Sequence, residues 1–463
     1  MAAPYCKECL EKTRIINDQR EEIVLLKQRL RYQERTIAEG PFGSATPSSK
    51  IPIKAGADPQ DRARRGGAKV GHRGHGRRAC AAEDADRVET VPVAEATCPD
   101  CGIPLESKGV RHRTVQECEP VKVETVVYAL GRKACPRCGR TFQGRPPGVL
   151  PKSQYGNSLL THVAIEHYLH GVTLGRLEQQ TGLGIGGLVE AMHQLAGRLA
   201  GISDRLVAEY RASPVKHADE TGWRNDGDNG YAWLFCTETL SLFRLRQTRS
   251  AAVVREVLGT QRLPGVLVTD RYGAYNQAPC RLQYCYVHLL REVKDLREKF
   301  PDDPEAARFV EVFQPLLTSA IALRGLELSK RAFRIQARRL QRRIIAAANH
   351  AARHPAIQKI QDVFRQKADR LYHWARDPCV PADNNRAERE LRPLVIARKI
   401  SFGSQSDEGA KTREILMTAL HTLRKRVPDP YMTLKSCLDA LAEDPDAPVF
   451  PLLFGQTRNS PRH

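Results

Sequence analysis

PVKHADETGW, residues 214–223, closes a helical stretch at Pro214 and opens a strand-like run that carries two adjacent acids, Asp219 and Glu220. Downstream, YAWLFCT (231–237) and LSLFRLR (240–246) read as two more strands. RNDGDNG lies between the first two as a turn signal, since Asp-Gly tolerates the positive φ angles of a tight hairpin. SAAVVREVLG then reads as a helix, GVLVTDRYGAYN as a buried apolar strand ending at Asp270, and LQYCYV as a fifth strand leading into the helix HLLREVKDLREKF. Three antiparallel strands, a helix, a strand, a helix or turn and a strand is the order of a ribonuclease-H-like α/β fold. Its first and fourth strands are neighbours, so Asp219 and Asp270 are expected to face each other.

Two such carboxylates suit hard divalent cations, Mg²⁺ or Mn²⁺, which prefer oxygen ligands. Two ions about 3.5–4 Å apart activate a nucleophile and stabilise the leaving oxygen in phosphoryl transfer. The third acid such a site needs is sought in DNNRAERELRPLVIARKISFGS (383–404), read as a helix starting after Asn384, with Asp383 just before it. Glu388 shares a face with Asn384, Asn385 and Arg392 and is the choice here, while spacing alone leaves Glu390 open.

The rest of the chain points to an anionic partner. Its 463 residues hold 73 Lys and Arg against 53 Asp and Glu, a formal net charge of +20, which favours nucleic acid. Hydrophobic residues at 41% and charged residues at 27% are globular values, so most of the chain should fold. With no run of eighteen apolar residues and no signal-like N-terminus, a cytoplasmic protein is expected.

Residues 1–40 are assigned to a coiled-coil helix, because Ile16, Ile23, Leu30 and Ile37 recur every seven residues; Gln19 and Gln33 weaken the seam. Residues 41–82 form a linker and basic arm. In its stretch RARRGGAKVGHRGHGRR, the side chains of Arg64, Arg65, Lys69, Arg73, Arg77 and Arg78 are candidates for phosphate contacts. Residues 83–150 contain two Cys-x-x-Cys-Gly knuckles around strand-like sequence. Cys98, Cys101, Cys135 and Cys138 would hold one structural Zn²⁺ as in a zinc ribbon, and four protein ligands leave no open position for chemistry. The helices of 151–213 suit either a helix-turn-helix DNA reader or a layer supporting the core. The core runs over 214–300 and 381–445, with a helical segment at 301–380 and a tail at 446–463.

HADETGW, TDRYGAYN, CYVHLLREV and NNRAERELRP…ARKISFGS resemble, in order, the signature blocks of the insertion sequence sixty-six family of bacterial transposases, over about residues 15–440. The resemblance implies that Asp219, Asp270 and Glu388 are a DDE triad and that 301–380 is an insertion before the glutamate helix. It implies hydrolysis at element ends in double-stranded DNA, then strand transfer. It also implies small accessory proteins, while the N-terminal coil suggests a homodimer or larger assembly. Arg331, Arg334, Arg338 and Arg342 line one helical face of the insertion as a possible DNA track. Arg386, Arg389, Arg392, Arg398 and Lys399 are candidates for holding the backbone, and His288 for supporting the site. The chain departs from the family in carrying Tyr286 and a single Arg291 after Cys285. Two other readings compete: a catalytically retired DNA-binding protein, and a tyrosine recombinase using His288, Arg291 and Tyr372.

Overall fold

A computed structural model describes residues 122–134 and 141–455 continuously, with scattered positions before and between them. The chain divides into two compact units, one of residues 45–122 and one formed by 1–44 with 123–463; the elements below belong to the second. Arg64, Arg65, Lys69, Arg73, Arg77, Arg78, Cys98, Cys101 and Cys135 lie outside the described residues. In the N-terminal segment, 15–20 is helical, and Ile16, Ile23, Leu26 and Leu30 are exposed on helical backbone.

The strand-like sequence before the second knuckle pairs over a short antiparallel hairpin, β1 (Arg132–Ala134) and β2 (Thr141–Gln143), with Cys138 exposed in its connection. Four helices follow: α1 (Asn157–Tyr168), α2 (Leu174–Thr181), α3 (Ile185–Leu199) and α4 (Ile202–Ala212). They are bound to the C-terminal helices α12 (Asp407–Arg426) and α13 (Pro430–Glu443). His421 Nε2 donates to the Tyr168 carbonyl (3.1 Å), and Asn157 Nδ2 to Asp439 Oδ1 (2.9 Å). The four helices therefore serve as a packed layer on this core.

The sheet holds β3 (Val215–Asn225), β4 (Asp228–Cys236), β5 (Ser241–Arg246), β6 (Val266–Thr269) and β7 (Arg281–Tyr284) in the order β5-β4-β3-β6-β7. The first three form an antiparallel meander; β6 and β7 are parallel to β3. Asp226 and Gly227, at φ 51° and 81°, close the β3–β4 hairpin as the Asp-Gly signal requires. All four residues of β6 are buried, as expected of a strand covered on both faces. Trp233 and Phe235 of β4 are fully buried, and Trp233 meets Tyr275 edge-on at 5.9 Å.

Helix α5 (Ala251–Leu258) joins β5 to β6, and α6 (Tyr286–Lys299) follows β7. The insertion comprises α7 (Pro304–Ala322), α8 (Lys330–Asn349), α9 (Pro355–Gln366) and α10 (His373–Arg376). Among the described residues, Pro304–Gly325 is the one helix long and apolar enough to cross a membrane, but its Ala306, Val310, Phe313 and Leu317 are buried within the protein. Helix α11 (Asn385–Ser401) returns the chain to the sheet, and α14 (Val449–Phe454) ends the described chain.

Helix α12 lies along the outer edge of the sheet. Backbone N–H groups of Ser241, Phe243 and Leu245 donate to Thr422 Oγ1 (3.1 Å), Thr418 Oγ1 (3.0 Å) and Glu414 Oε2 (3.0 Å). Four helical residues rise about 6 Å and two strand residues about 6.8 Å, so side chains at every fourth position can follow alternate strand amides.

Candidate active site

The acids gather where β3 and β6 end. Their parallel register sets Val215 opposite Val266 and His217 opposite Val268, and two further residues bring Asp219 level with Asp270. Asp219 Oδ1 accepts the Glu220 N–H (2.9 Å), and Asp270 Oδ1 accepts the Tyr272 N–H (2.8 Å). Burial lifts the Asp219 carboxyl well above the usual carboxylate range, and the charges of Glu220, Asp270 and Glu388 lift it further. Such mutual repulsion marks acids collected without enough local counter-charge.

Glu388 reaches this cluster because the start of α11 is pinned to β3. Asn384, the residue before the helix, turns its side chain to the sheet: Oδ1 meets His217 Nδ1 (2.9 Å), and Nδ2 donates to the Ala218 carbonyl (2.8 Å). Its N–H donates to Cys285 Sγ (3.2 Å), and the Tyr286 N–H donates to the Ala382 carbonyl (2.8 Å). Burial brings His217 down to about 4, so the imidazole is neutral and donates from Nδ1. Asn384→Ala is therefore expected to lower stability by about 1–3 kcal/mol, since it strips partners from buried polar groups. Thermal unfolding measures this directly, and an unchanged midpoint would show that the pin is unimportant.

One turn into the helix, Glu388 lies 3.9 Å from both His288 Nδ1 and Arg291 Nη2. Glu388 Oε1 and His288 Nδ1 are buried without hydrogen-bond partners. The ligand atoms of Cys285, His288 and Glu388 lie within 4.8 Å of one another. The Cys285 thiol is pushed up to about 12, chiefly by burial, and acts as a neutral contact. His288 is held below its ordinary pKa, again mainly by burial.

Glu390 faces elsewhere. Its Oε2 accepts from Ser241 Oγ (2.7 Å) and Lys425 Nζ (2.6 Å), in a half-buried ion pair on the β5 side of the sheet.

The basic candidates divide. Arg331, Arg334, Arg338 and Arg342 are exposed along α8, and Arg389, Arg392 and Lys399 along α11. Arg386 is half-buried. Arg398 donates to Thr221 Oγ1 (3.1 Å) and the Gly222 carbonyl (2.6 Å), which ties α11 to β3.

Sequence reasoning missed the second acid's role. Glu220 faces away from Asp219, accepts from Arg249 Nη2 (2.6 Å) and from the Tyr275 hydroxyl, and is raised to about 7 by burial and then by Asp270. The alternation of side chains along a strand could have revealed its opposite facing. It missed His217 and the inward turn of Asn384 too, because a residue just before a helix reads as a helix cap.

Comparison with known proteins sets the chain among transposases. The family described as Transposase IS66 family matches residues 152–412, and the chain belongs to that family. It is also 24% identical over 304 residues to uncharacterized protein y4jD of Sinorhizobium fredii (strain NBRC 101917 / NGR234), covering 59% of this chain and 57% of that protein. Uncharacterized protein y4qI of the same strain is 24% identical over 329 residues, covering 62% of this chain and 59% of that protein. The chain thus spans less than two thirds of the length of these relatives.

Proposed function

We propose that this chain is a DDE transposase with a ribonuclease-H-like core, which cleaves the ends of a bacterial insertion sequence and joins them to target DNA. The observation that supports the reading is that Asp219 and Asp270 end the neighbouring parallel strands β3 and β6, while the Glu388 charge acts on Asp219 and its Oε1 atom is buried and unpartnered. The strand order, with β3 and β6 parallel neighbours, supports the fold assignment.

The residues fit hard divalent cations, because the cluster offers carboxylate oxygens and an excess of negative charge. Two Mg²⁺ or Mn²⁺ ions bound there would stabilise both the attacking and the leaving oxygen of an in-line displacement at phosphorus. Asp219 and Asp270 hold the sheet side of that site and Glu388 the helix side. Arg291 and His288, each 3.9 Å from the Glu388 carboxylate, would support it without a direct hydrogen bond. Hydrolysis first frees a 3′-hydroxyl, which then attacks target DNA without a covalent protein intermediate.

The wider assignments rest on sequence. Cys98, Cys101, Cys135 and Cys138 would hold a structural Zn²⁺. The basic arm and the exposed arginines of α8 and α11 would follow phosphates. The exposed seam of Ile16, Ile23, Leu26 and Leu30 suits a homodimer. Accessory proteins of the same element and a place in the bacterial cytoplasm at the nucleoid complete the proposal. The recombinase alternative is weakened by Tyr372, which is 3% exposed, and by the placement of His288 and Arg291 beside Glu388.

The test is nicking of supercoiled plasmid by the wild-type chain in Mg²⁺ or Mn²⁺ and in chelator. Nicking that needs the metal and leaves no protein–DNA adduct is the expected result. A covalent adduct formed in chelator would overturn the proposal.

A further inference from the structure

Between α1, α3 and the turn from α11 to α12 lies a cavity of about 360 Å³, lined by polar and apolar groups. Arg413 of α12 reaches into it and is only 8% exposed. Among the described residues, its guanidinium has no carboxylate partner. Its Nη2 donates to His167 Nε2 (3.1 Å), and it sits 5.3 Å from the ring centres of Tyr168 and Trp223. His167 Nδ1 meets the Val172 carbonyl (2.8 Å), which makes Nδ1 the donor and leaves Nε2 to accept. The imidazole is therefore neutral and brings no compensating charge. Burying a cation without an anion is costly, so a buried arginine normally has an acid or an anionic ligand beside it.

The cavity is too large for a bare phosphate, and its other walls include Val172, Met192 and Ile400. A ligand that fills it has an anionic group for Arg413 and a flat or apolar body for those walls. We infer that this cavity binds a nucleoside phosphate, with the phosphate on Arg413 and the base against Val172, Met192 and Ile400. The source is either a free nucleotide or one residue of a DNA strand; the second rests on the transposase reading above. The site is separate from the acid cluster: Ser401, on its rim, follows Glu388 along α11 by about 20 Å at the helical rise.

The experiment measures binding by the full chain of fluorescently labelled deoxyadenosine monophosphate and of a short labelled single-stranded oligonucleotide, both without divalent metal. Two variants are compared with wild type. Arg413→Met keeps the apolar length and removes the charge; Val189→Trp fills the cavity from α3 and leaves Arg413 in place. Affinity for at least one probe should fall by about tenfold to a hundredfold in both variants, the scale of a lost charge-assisted contact. The thermal midpoint of Arg413→Met should hold or rise, because an unpaired buried charge is gone. Loss of mononucleotide binding identifies a free nucleotide as the source, and loss of oligonucleotide binding alone identifies a strand. Unchanged affinity for both probes in Val189→Trp would overturn the inference and leave Arg413 a structural cation held by His167, Tyr168 and Trp223. No cleavage or metal enters the assay, so its failure is distinct from a failure of the acid triad.

Discussion

Glu388→Gln is expected to depress metal-dependent DNA cleavage by about a thousandfold or more, because a lost anionic ligand forfeits several kcal/mol of transition-state stabilisation. Asp270→Ala should do the same from the sheet side. Glu388→Gln should not weaken the metal-free fold, since it removes one of the acids that raise the Asp219 carboxyl by repulsion, whereas Asp270→Ala also strips the Tyr272 N–H of its acceptor. Glu390→Gln is the informative contrast, two residues along the same helix. It deprives Lys425 Nζ of its charge partner while leaving the Thr237 and Leu240 carbonyls as acceptors. A stability loss of about 1–3 kcal/mol is expected there, with cleavage within a few-fold of wild type. Plasmid nicking and thermal unfolding on parallel preparations decide the matter. Cleavage kept in Glu388→Gln and abolished in Glu390→Gln would transfer the role to the second glutamate.

The second large effect is in stability against pH. Glu220 is raised from 4.5 to about 7, and Asp219 is raised as well, so both bind protons in the folded protein that the unfolded chain has already released. Stability from such groups is fully present below about pH 4.5 and is lost as pH rises through their folded values. For Glu220 alone the loss is on the order of 3 kcal/mol between about pH 4.5 and pH 7. Relative to Glu220→Gln, the metal-free wild type should therefore lose a few degrees of melting midpoint between pH 5 and pH 8, while the buried neutral His167, His217 and His421, lowered to about 4, about 4 and about 3, act alike in both. Mg²⁺ should stabilise the wild type increasingly as pH rises, because ligand carboxylates must be ionised to bind it. A difference between wild type and Glu220→Gln that stays constant from pH 5 to pH 8 without metal would show that Glu220 is not strained.

How far the sequence led depends on where each signal resided. The strands around Asp219 and Asp270 were legible because alternation, an Asp-Gly turn and an apolar run are local properties. The choice of Glu388 over Glu390 was only half legible. Both lie on one helix, and what separates them is the long-range pairing of Glu390 with Lys425 and Ser241. Arg398 looked like its basic neighbours, yet its partners on β3 lie more than 170 residues away in the chain. The buried Arg413 was invisible for the same reason, since a basic residue on a helix reads as a solvated one. The strand-like sequence before the second knuckle yields only the three residues of β1, because alternation alone cannot supply a longer partner strand.

Helix α12 covers β5 at one edge of the sheet. An uncovered outermost strand is a template onto which a second chain can add a strand of its own. Here Glu414, Thr418 and Thr422 already occupy the amides that such a chain would need, and the Thr422 hydroxyl also takes the Ser241 carbonyl (3.1 Å). A second chain accordingly cannot extend the sheet at β5. Because Arg413 immediately precedes Glu414, the same three side chains fix the rotation of α12 and hold the guanidinium in its cavity before any ligand arrives.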